Sequence, residues 1–350
     1  MNAIKVGLIG YGFSGATFHA PFLRVLDEFE LVAIMSSDAM RVHRDMGNVR
    51  VVSTIDEILQ DDSIELVVIT TPNSLHYEMA KESILHEKHV IVEKPMVIEP
   101  SEAVELISLA KKKGVMLSVY QNRRWDNDFL TIKKLIQKGI VGEITTYEAH
   151  FDRFRPHVRD RWREKIGKGA GMLYDLGSHL IDQALHLFGM PQFVMADVFA
   201  QRKGGEVDDY FHIIMGYENL RVVLHSGSIV MGQGPKFLIH GSKGSYIKYG
   251  LDIQESKLRA GENPLGKDFG KDEPDMYGRL ITEEDGTMTE QRIATVQGNY
   301  AAYYQGIYEH IRFGKSNPVT ADDGLQTITI IHAAMQSSRE RRTVTVSRLS

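Results

Sequence analysis

The sequence contains no cysteine in 350 residues. Disulfides, thiolate metal sites and cysteine nucleophiles are therefore excluded. It has no apolar run approaching the roughly 18 residues a membrane-spanning helix needs. A surplus of basic charge is missing too. The 41 lysines and arginines face 46 acidic residues, a net −5, so nothing favours nucleic acid or an acidic membrane as partner. No low-complexity tract or repeat period interrupts the chain, and no basic-then-apolar leader precedes the first strand. These absences point to the cytoplasm. What is present is an ordinary globular composition, 43% hydrophobic and 25% charged, at a length that suggests two domains.

Ile4 to Ile9 reads as a buried strand. Gly10-Tyr11-Gly12-Phe13-Ser14-Gly15 follows at once, and a helical pattern through Ala16, Phe18, Phe22 and Leu26 comes after it. This is G-x-G-x-x-G between a strand and a helix, where it cradles a dinucleotide pyrophosphate. Gly10 permits the turn, Gly12 the close approach of phosphate, and Gly15 the packing of helix on strand. The second strand, Leu31–Met35, ends in Ser36-Ser37-Asp38, with Arg41 four residues after Ser37. Hydroxyls and a guanidinium suit a 2′-phosphate, so NADP is expected; Asp38 keeps NAD open.

Further strands are read at Val51-Val52, Leu66–Thr70, His89–Val92 and Val115–Tyr120. Helices between them include one started by Thr54, one capped by Asn73 or Ser74 and carrying His76, and Pro100–Lys113 closed by Gly114. Strands alternating with helices of this length predict a parallel, doubly wound sheet. Glu93-Lys94-Pro95 ends the fifth strand, and ligands bind beyond the carboxyl ends of such strands. Lys94 is therefore a candidate functional cation.

After Tyr120 the alternation stops. A transition helix carries Phe129, Ile132 and Leu135. Runs of period two follow at Ile144–Phe151, Phe193–Gln201, Tyr210–Gly216, Arg221–His225, Lys236–His240 and Ser245–Tyr249, predicting an open antiparallel or mixed sheet. A helix over Tyr174–Phe188 places Asp175, His179, Asp182 and His186 on one stripe by the i, i+3 and i, i+4 rule. A carboxylate one turn before a histidine orients the imidazole for acid–base work. Solvent exposure, core pairing and metal binding compete for this stripe, but it has no zinc motif such as H-E-x-x-H, and no metal site is expected. The basic, aromatic stretch Arg153–Arg163 reads as a loop over an anionic cofactor or one that orders a subunit surface. Residues 255–298 read as a long surface loop. A helix is expected from Gly298-Asn299-Tyr300 to Phe313, another over 320–338, and a last strand at Thr343–Val346.

These motifs, in this order, resemble the Gfo/Idh/MocA oxidoreductase family: the glycine turn, Thr71-Pro72-Asn73 with His76, Glu93-Lys94-Pro95, and Asp175-Leu-Gly-Ser-His179. Asn122–Asp126, His150–Pro156, Val158–Arg163 and Gly298-Asn-Tyr300 resemble its bacterial NADP-linked scyllo-inositol dehydrogenases. The resemblance implies an α/β Rossmann domain (1–122) and an α+β C-terminal domain (123–350) with a large, mostly antiparallel open sheet, the helix 320–338 packing back on the first. It implies Lys94, Asp175 and His179 as catalytic residues. It also implies cofactor contacts from Gly10, Tyr11, Gly12, Phe13, Ser36, Ser37, Arg41, Thr71, Pro72, Asn73, His76, Glu93, Lys94, Asn122, Trp162 and Arg163. Substrate contacts are expected from Lys94, Arg124, Asp152, Asp175, His179 and Tyr300. The expected substrate is a cyclic polyol or sugar, scyllo-inositol first, in a homodimer or homotetramer built through the C-terminal sheet. Other sugars (an aldose, an anhydro-keto sugar), or a cofactor-binding sensor without turnover, are the alternatives.

Overall fold

The computed structural model describes residues 2–232 and 234–346. Its first half runs β1 (Ile4–Ile9), α1 (Ala20–Val25), β2 (Phe29–Met35), α2 (Ala39–Met46), β3 (Arg50–Val52), α3 (Asp56–Leu59), β4 (Leu66–Ile69), α4 (His76–Leu85), β5 (His89–Glu93), α5 (Pro100–Lys113) and β6 (Leu117–Tyr120). Then come α6 (Asn127–Gln137), β7 (Ile144–His150), α7 (Ser178–Phe188), β8 (Phe193–Phe199), β9 (Tyr210–Gly216), β10 (Arg221–Gly227), β11 (Phe237–Gly241) and β12 (Gly244–Lys248). The chain closes with α8 (Gln254–Arg259), β13 (Gly278–Glu284), β14 (Thr287–Ile293), α9 (Ala301–Phe313), α10 (Ala321–Glu340) and β15 (Val344–Thr345). Two compact units result. The first holds the chain up to Asn122 with Ile253–Phe269 and Asn299–Leu325; the second holds Arg123–Asp252, Gly270–Gly298 and the chain from Gln326 on.

In the first unit six strands pair in the order β3-β2-β1-β4-β5-β6, all in parallel. Every residue of β4 and β6 is buried, as is β5 after His89. This explains their unbroken apolar sequence, since a parallel sheet is covered on both faces. The chain leaves β1 toward β2 and β3, then returns to its other side with β4. The glycine turn after β1 and Thr71-Pro72-Asn73 after β4 therefore flank the topological switch point. The segment 299–325 joins this unit through aromatic packing: Tyr303 and Tyr304 meet Tyr120 at ring distances of 4.9 and 6.0 Å.

Helix starts follow expectation in part. α3 begins at Asp56, and Glu57 reaches back to accept the N–H groups of Ser53 and Thr54. Neither Asn73 nor Ser74 caps α4. Both lie in a 3₁₀ turn, Asn73–Leu75, closed by Leu75 N–H donating to Pro72 O. α5 matches its expected bounds, with Pro100 at its first position and Gly114 left-handed at φ 68°.

The second unit holds a nine-stranded sheet, β14-β13-β12-β11-β7-β10-β9-β8-β15, antiparallel except for the β7–β10 pair. Burial alternates along β7, β9 and β10. Tyr147, Phe211, Val222, Leu224 and Phe237 fill one face and are essentially inaccessible. Residues 255–298 are not one loop. They hold α8 and the β13–β14 hairpin, which turns at Asp285 and Gly286, both at positive φ. β14 is exposed almost throughout, so no apolar alternation marks it in the sequence. α10 starts on a reciprocal cap, with Thr320 N–H donating to Asp323 Oδ2 and Asp323 N–H to Thr320 Oγ1; its residues to Leu325 belong to the first unit. Among the described residues no helix is long and apolar enough to cross a membrane.

Candidate active site

The glycine turn has the shape a pyrophosphate requires. Gly10 sits at φ 96°, a region side chains rarely adopt. A Cβ on Gly12 would meet nothing within 4 Å, so space lies open above the turn, whereas one on Gly15 would fall on Gly10 O. The helix that follows begins with a π-wound stretch, Gly15–His19, before α1, which widens its first turns. Beside this turn the Arg41 guanidinium lies over the Tyr11 ring, 5.5 Å from its centroid. Asp38 is spent locally: its carboxylate caps α2 by accepting Arg41 N–H at 3.0 Å. Ser36 Oγ accepts Asp38 N–H, and Ser37 is exposed. The residues present thus fit a dinucleotide.

Glu93 is a buried hub. It accepts hydrogen bonds from Ser14 Oγ, from His19 Nε2 at 3.0 Å and from Lys94 N–H at 3.0 Å. Burial alone would push its pKa up. The His19 hydrogen bond and charge, Lys94 and Ser14 outweigh it and hold the carboxyl down at about 2. His19 Nδ1 in turn meets Tyr304 Oη at 2.7 Å. His76 is fully buried; its ring nitrogens face Pro95 O at 2.8 Å and Thr71 O at 2.9 Å. It therefore ties Thr71-Pro72-Asn73 to the chain just after Lys94. Burial pushes its pKa down, against the pull of the two carbonyls. Asn73 and Asn122 are buried. Phe13 is half-exposed, edge-on to Phe18, with the Arg259 guanidinium 5.9 Å from its ring.

In the second unit Asp175 lies in another π-wound stretch, Leu173–Gly177, which feeds α7. The Ser178 N–H reaches back to Leu173 O, one residue further than in an α-helix, so the stripe starting at Asp175 is not the regular one expected. Asp175 Oδ1 is 3.5 Å from Arg163 Nε, and the Arg163 guanidinium stacks on Trp162. His179 is buried at 6% exposure. A pocket beside Asp175 is lined by Arg153, Arg155, Arg161, Arg163 and Asp208. Asp208 accepts Leu173 N–H at 2.7 Å, and burial lifts its pKa to about 6.

The lower part of the stripe does other work. Asp182 is gripped by both nitrogens of a buried Arg124 fork, at 2.8 and 2.7 Å. His186 Nε2 accepts from Lys133 Nζ at 2.9 Å. Neither is arranged to join His179 as a metal ligand. Arg124 is thereby paired with Asp182. Tyr300 is 1% exposed within the first unit, its N–H donating to Gln254 Oε1. Asp152 is not brought to the Asp175 pocket: strand alternation turns it outward, between His150 and His225, while Phe151 and Arg153 point the other way. Sequence reasoning missed His19, Arg259 and Asp208. The Asp285-Gly286 pair was a legible hairpin signal; nothing local marks the others.

A family model described as an oxidoreductase family's NAD-binding Rossmann fold matches residues 4–121. The corresponding C-terminal alpha/beta domain matches residues 133–346, well over half of the chain. The chain belongs to the Gfo/Idh/MocA oxidoreductase family. Among relatives of this family member, scyllo-inositol 2-dehydrogenase (NADP(+)) IolW of Bacillus subtilis is 51% identical over 98% of this chain and 96% of its own. The oxidoreductase YdgJ of Escherichia coli is 45% identical over 97% and 98%. The solved structure of the Bacillus subtilis oxidoreductase YvaA superposes with a TM-score of 0.97 at 50% identity, covering 99% of both chains.

Proposed function

We propose that this oxidoreductase uses NADP(H) to interconvert a secondary alcohol and a ketone on a cyclic polyol, with scyllo-inositol as the first candidate. The observation that carries this reading is the IolW relative, 51% identical along nearly the whole chain. The Arg41–Tyr11 stack beside the glycine turn and the engagement of Asp38 as a helix cap support the phosphorylated cofactor. When bound, the nicotinamide supplies the hydride acceptor or donor. His179 takes the hydroxyl proton in the oxidative direction and returns it in the other. Lys94 stabilises negative charge developing on the same oxygen. Asp175 orients His179, and Glu93 and His76 hold the backbone on either side of Lys94. Trp162 and Arg163 would close over the nicotinamide when the cofactor is bound. The substrate set is Lys94, Asp175 and His179. The protein works in the cytoplasm as a homodimer or homotetramer assembled through the open sheet of the second unit.

A panel of polyols and sugars assayed with NADP and NAD tests the reading directly. Turnover of a cyclic polyol with NADP is expected. Lys94→Ala and His179→Ala should each lower kcat by about 10²–10⁴; full kcat in both would remove these residues from the chemistry. Absence of turnover on every alcohol and carbonyl compound, with NADPH still bound, would favour a sensor. Arg41→Ala should raise the KM for NADP about tenfold while leaving that for NAD within about twofold. Equal losses for both cofactors would sink the 2′-phosphate assignment.

A further inference from the structure

The outward face of the second unit's sheet carries a histidine row that the proposed reaction does not use. In the parallel β7–β10 ladder His150 stands opposite His225. In the antiparallel β9–β10 ladder His225 stands opposite His212, and Asp197 of β8 follows His212. Asp152, two residues after His150, sits between the first two histidines. Its Oδ2 lies 3.5 Å from His150 Nδ1 and its Oδ1 3.3 Å from His225 Nε2. Gly227 N–H donates to Oδ1 at 2.9 Å and fixes the carboxylate. Glu148 Oε2 is 3.6 Å from His150 Nε2. One ligand atom from each of His150, Asp152 and His225 lies within 4.8 Å of the other two.

We propose that His150, Asp152 and His225 bind a divalent transition-metal cation of the zinc class. Two imidazoles with one carboxylate are the donors of zinc, nickel, copper or cobalt, not of magnesium or calcium, which take oxygen. Donors about 2.0–2.2 Å from a tetrahedral ion stand about 3.3–3.6 Å apart, so small side-chain rotations complete the geometry. The backbone already sets the three positions, two of them by ladder register. His225 Nδ1 is buried without a hydrogen-bond partner. Its tautomer is therefore set only by what faces Nε2: a carboxylate alone selects Nε2–H, a cation takes the lone pair. Water supplies the fourth ligand, and Glu148, facing the other ring nitrogen of His150, orients that imidazole. The ion clips β7, β10 and the segment after β7 together within one chain. It takes no part in hydride transfer, because Phe151 and Arg153 alternate to the opposite face.

The test uses tag-free, full-length protein, stripped with chelator and titrated with zinc and, separately, with magnesium. One equivalent of zinc should bind and raise Tm, and magnesium should do neither. Asp152→Asn and His150→Gln, each confirmed folded by circular dichroism, should weaken zinc binding at least about tenfold and lose the Tm increase. His43→Ala, remote in sequence and exposed on α2, should leave both intact. Unchanged zinc affinity in both ligand variants, or no saturable binding to the parent, would overturn the site. Light scattering with and without zinc completes the test: constant mass supports a clip within the chain, and a zinc-dependent change of mass overturns it.

Discussion

At the scale of single residues, burial decides what each charge can do. Glu93, buried, and Asp208, half-buried, are both carboxylates short of water, yet they shift in opposite directions. Glu93 has His19, Ser14 and the Lys94 amide around it, so its anion is matched, and its stability contribution is lost only as pH falls from about 4.5 toward about 2. Asp208 is held by backbone amides that do not offset burial, and its pKa rises from 3.8 to about 6. A carboxyl with a raised folded pKa takes up a proton on folding. Stability therefore falls as pH rises from about 4 to about 6 and stays lower above that window. Asp208→Asn keeps an acceptor for Leu173 N–H and removes the anion. It should stabilise the protein by on the order of 1–2 kcal/mol near pH 8 and leave it unchanged near pH 4. Thermal melts at the two pH values check this, and destabilisation at both would show that the anion itself is needed.

At the scale of elements, spacing located most strands and helices but not α8, β13 or β14, and their windings came from packing. Both helices that carry candidate chemistry begin with a π-wound turn, Gly15–His19 and Leu173–Gly177. Regular i, i+4 reasoning cannot see an extra residue in a turn. In the first helix that turn brings the fully buried His19 to Glu93. Gly15→Ala would place a methyl on Gly10 O and against Thr70 Oγ1. It should weaken NADPH binding about tenfold or more by displacing the amides that face the pyrophosphate. A fluorescence titration reads the affinity, and unchanged binding would mean the turn relaxes freely. The β13–β14 hairpin shows the opposite limit. Its second strand, β14, is legible only through Asp285-Gly286, because a strand exposed on both faces needs no apolar alternation.

At the scale of the whole molecule, the chain is interleaved: segments 253–269 and 299–325 return to the unit begun by the first 122 residues. A single boundary after Asn122 was readable from the end of strand–helix alternation. The returns were not, because they rest on contacts such as Tyr303 with Ser118 Oγ and the Arg312–Glu65 pair, far apart in sequence. Met195 and Phe199, exposed on β8 of the second unit's sheet, supply apolar surface for the proposed self-assembly. Light scattering should report a dimer or tetramer, and the double substitution Met195→Lys, Phe199→Lys should shift it toward monomer. A monomeric parent at micromolar concentration would end that proposal.

The amino-acid sequence by itself determined the parallel sheet, the glycine turn, the placement of Lys94 at a strand end and the family. Each is written in local periodicity, glycine spacing or short motifs. Only the tertiary structure decided the partners of the polar residues. Asp152 went outward to two histidines, Arg124 to Asp182, and Asp38 to its own helix. Glu93 found His19 across 74 positions. A side chain's period says which face it takes, but the neighbour waiting on that face comes from elsewhere in the chain.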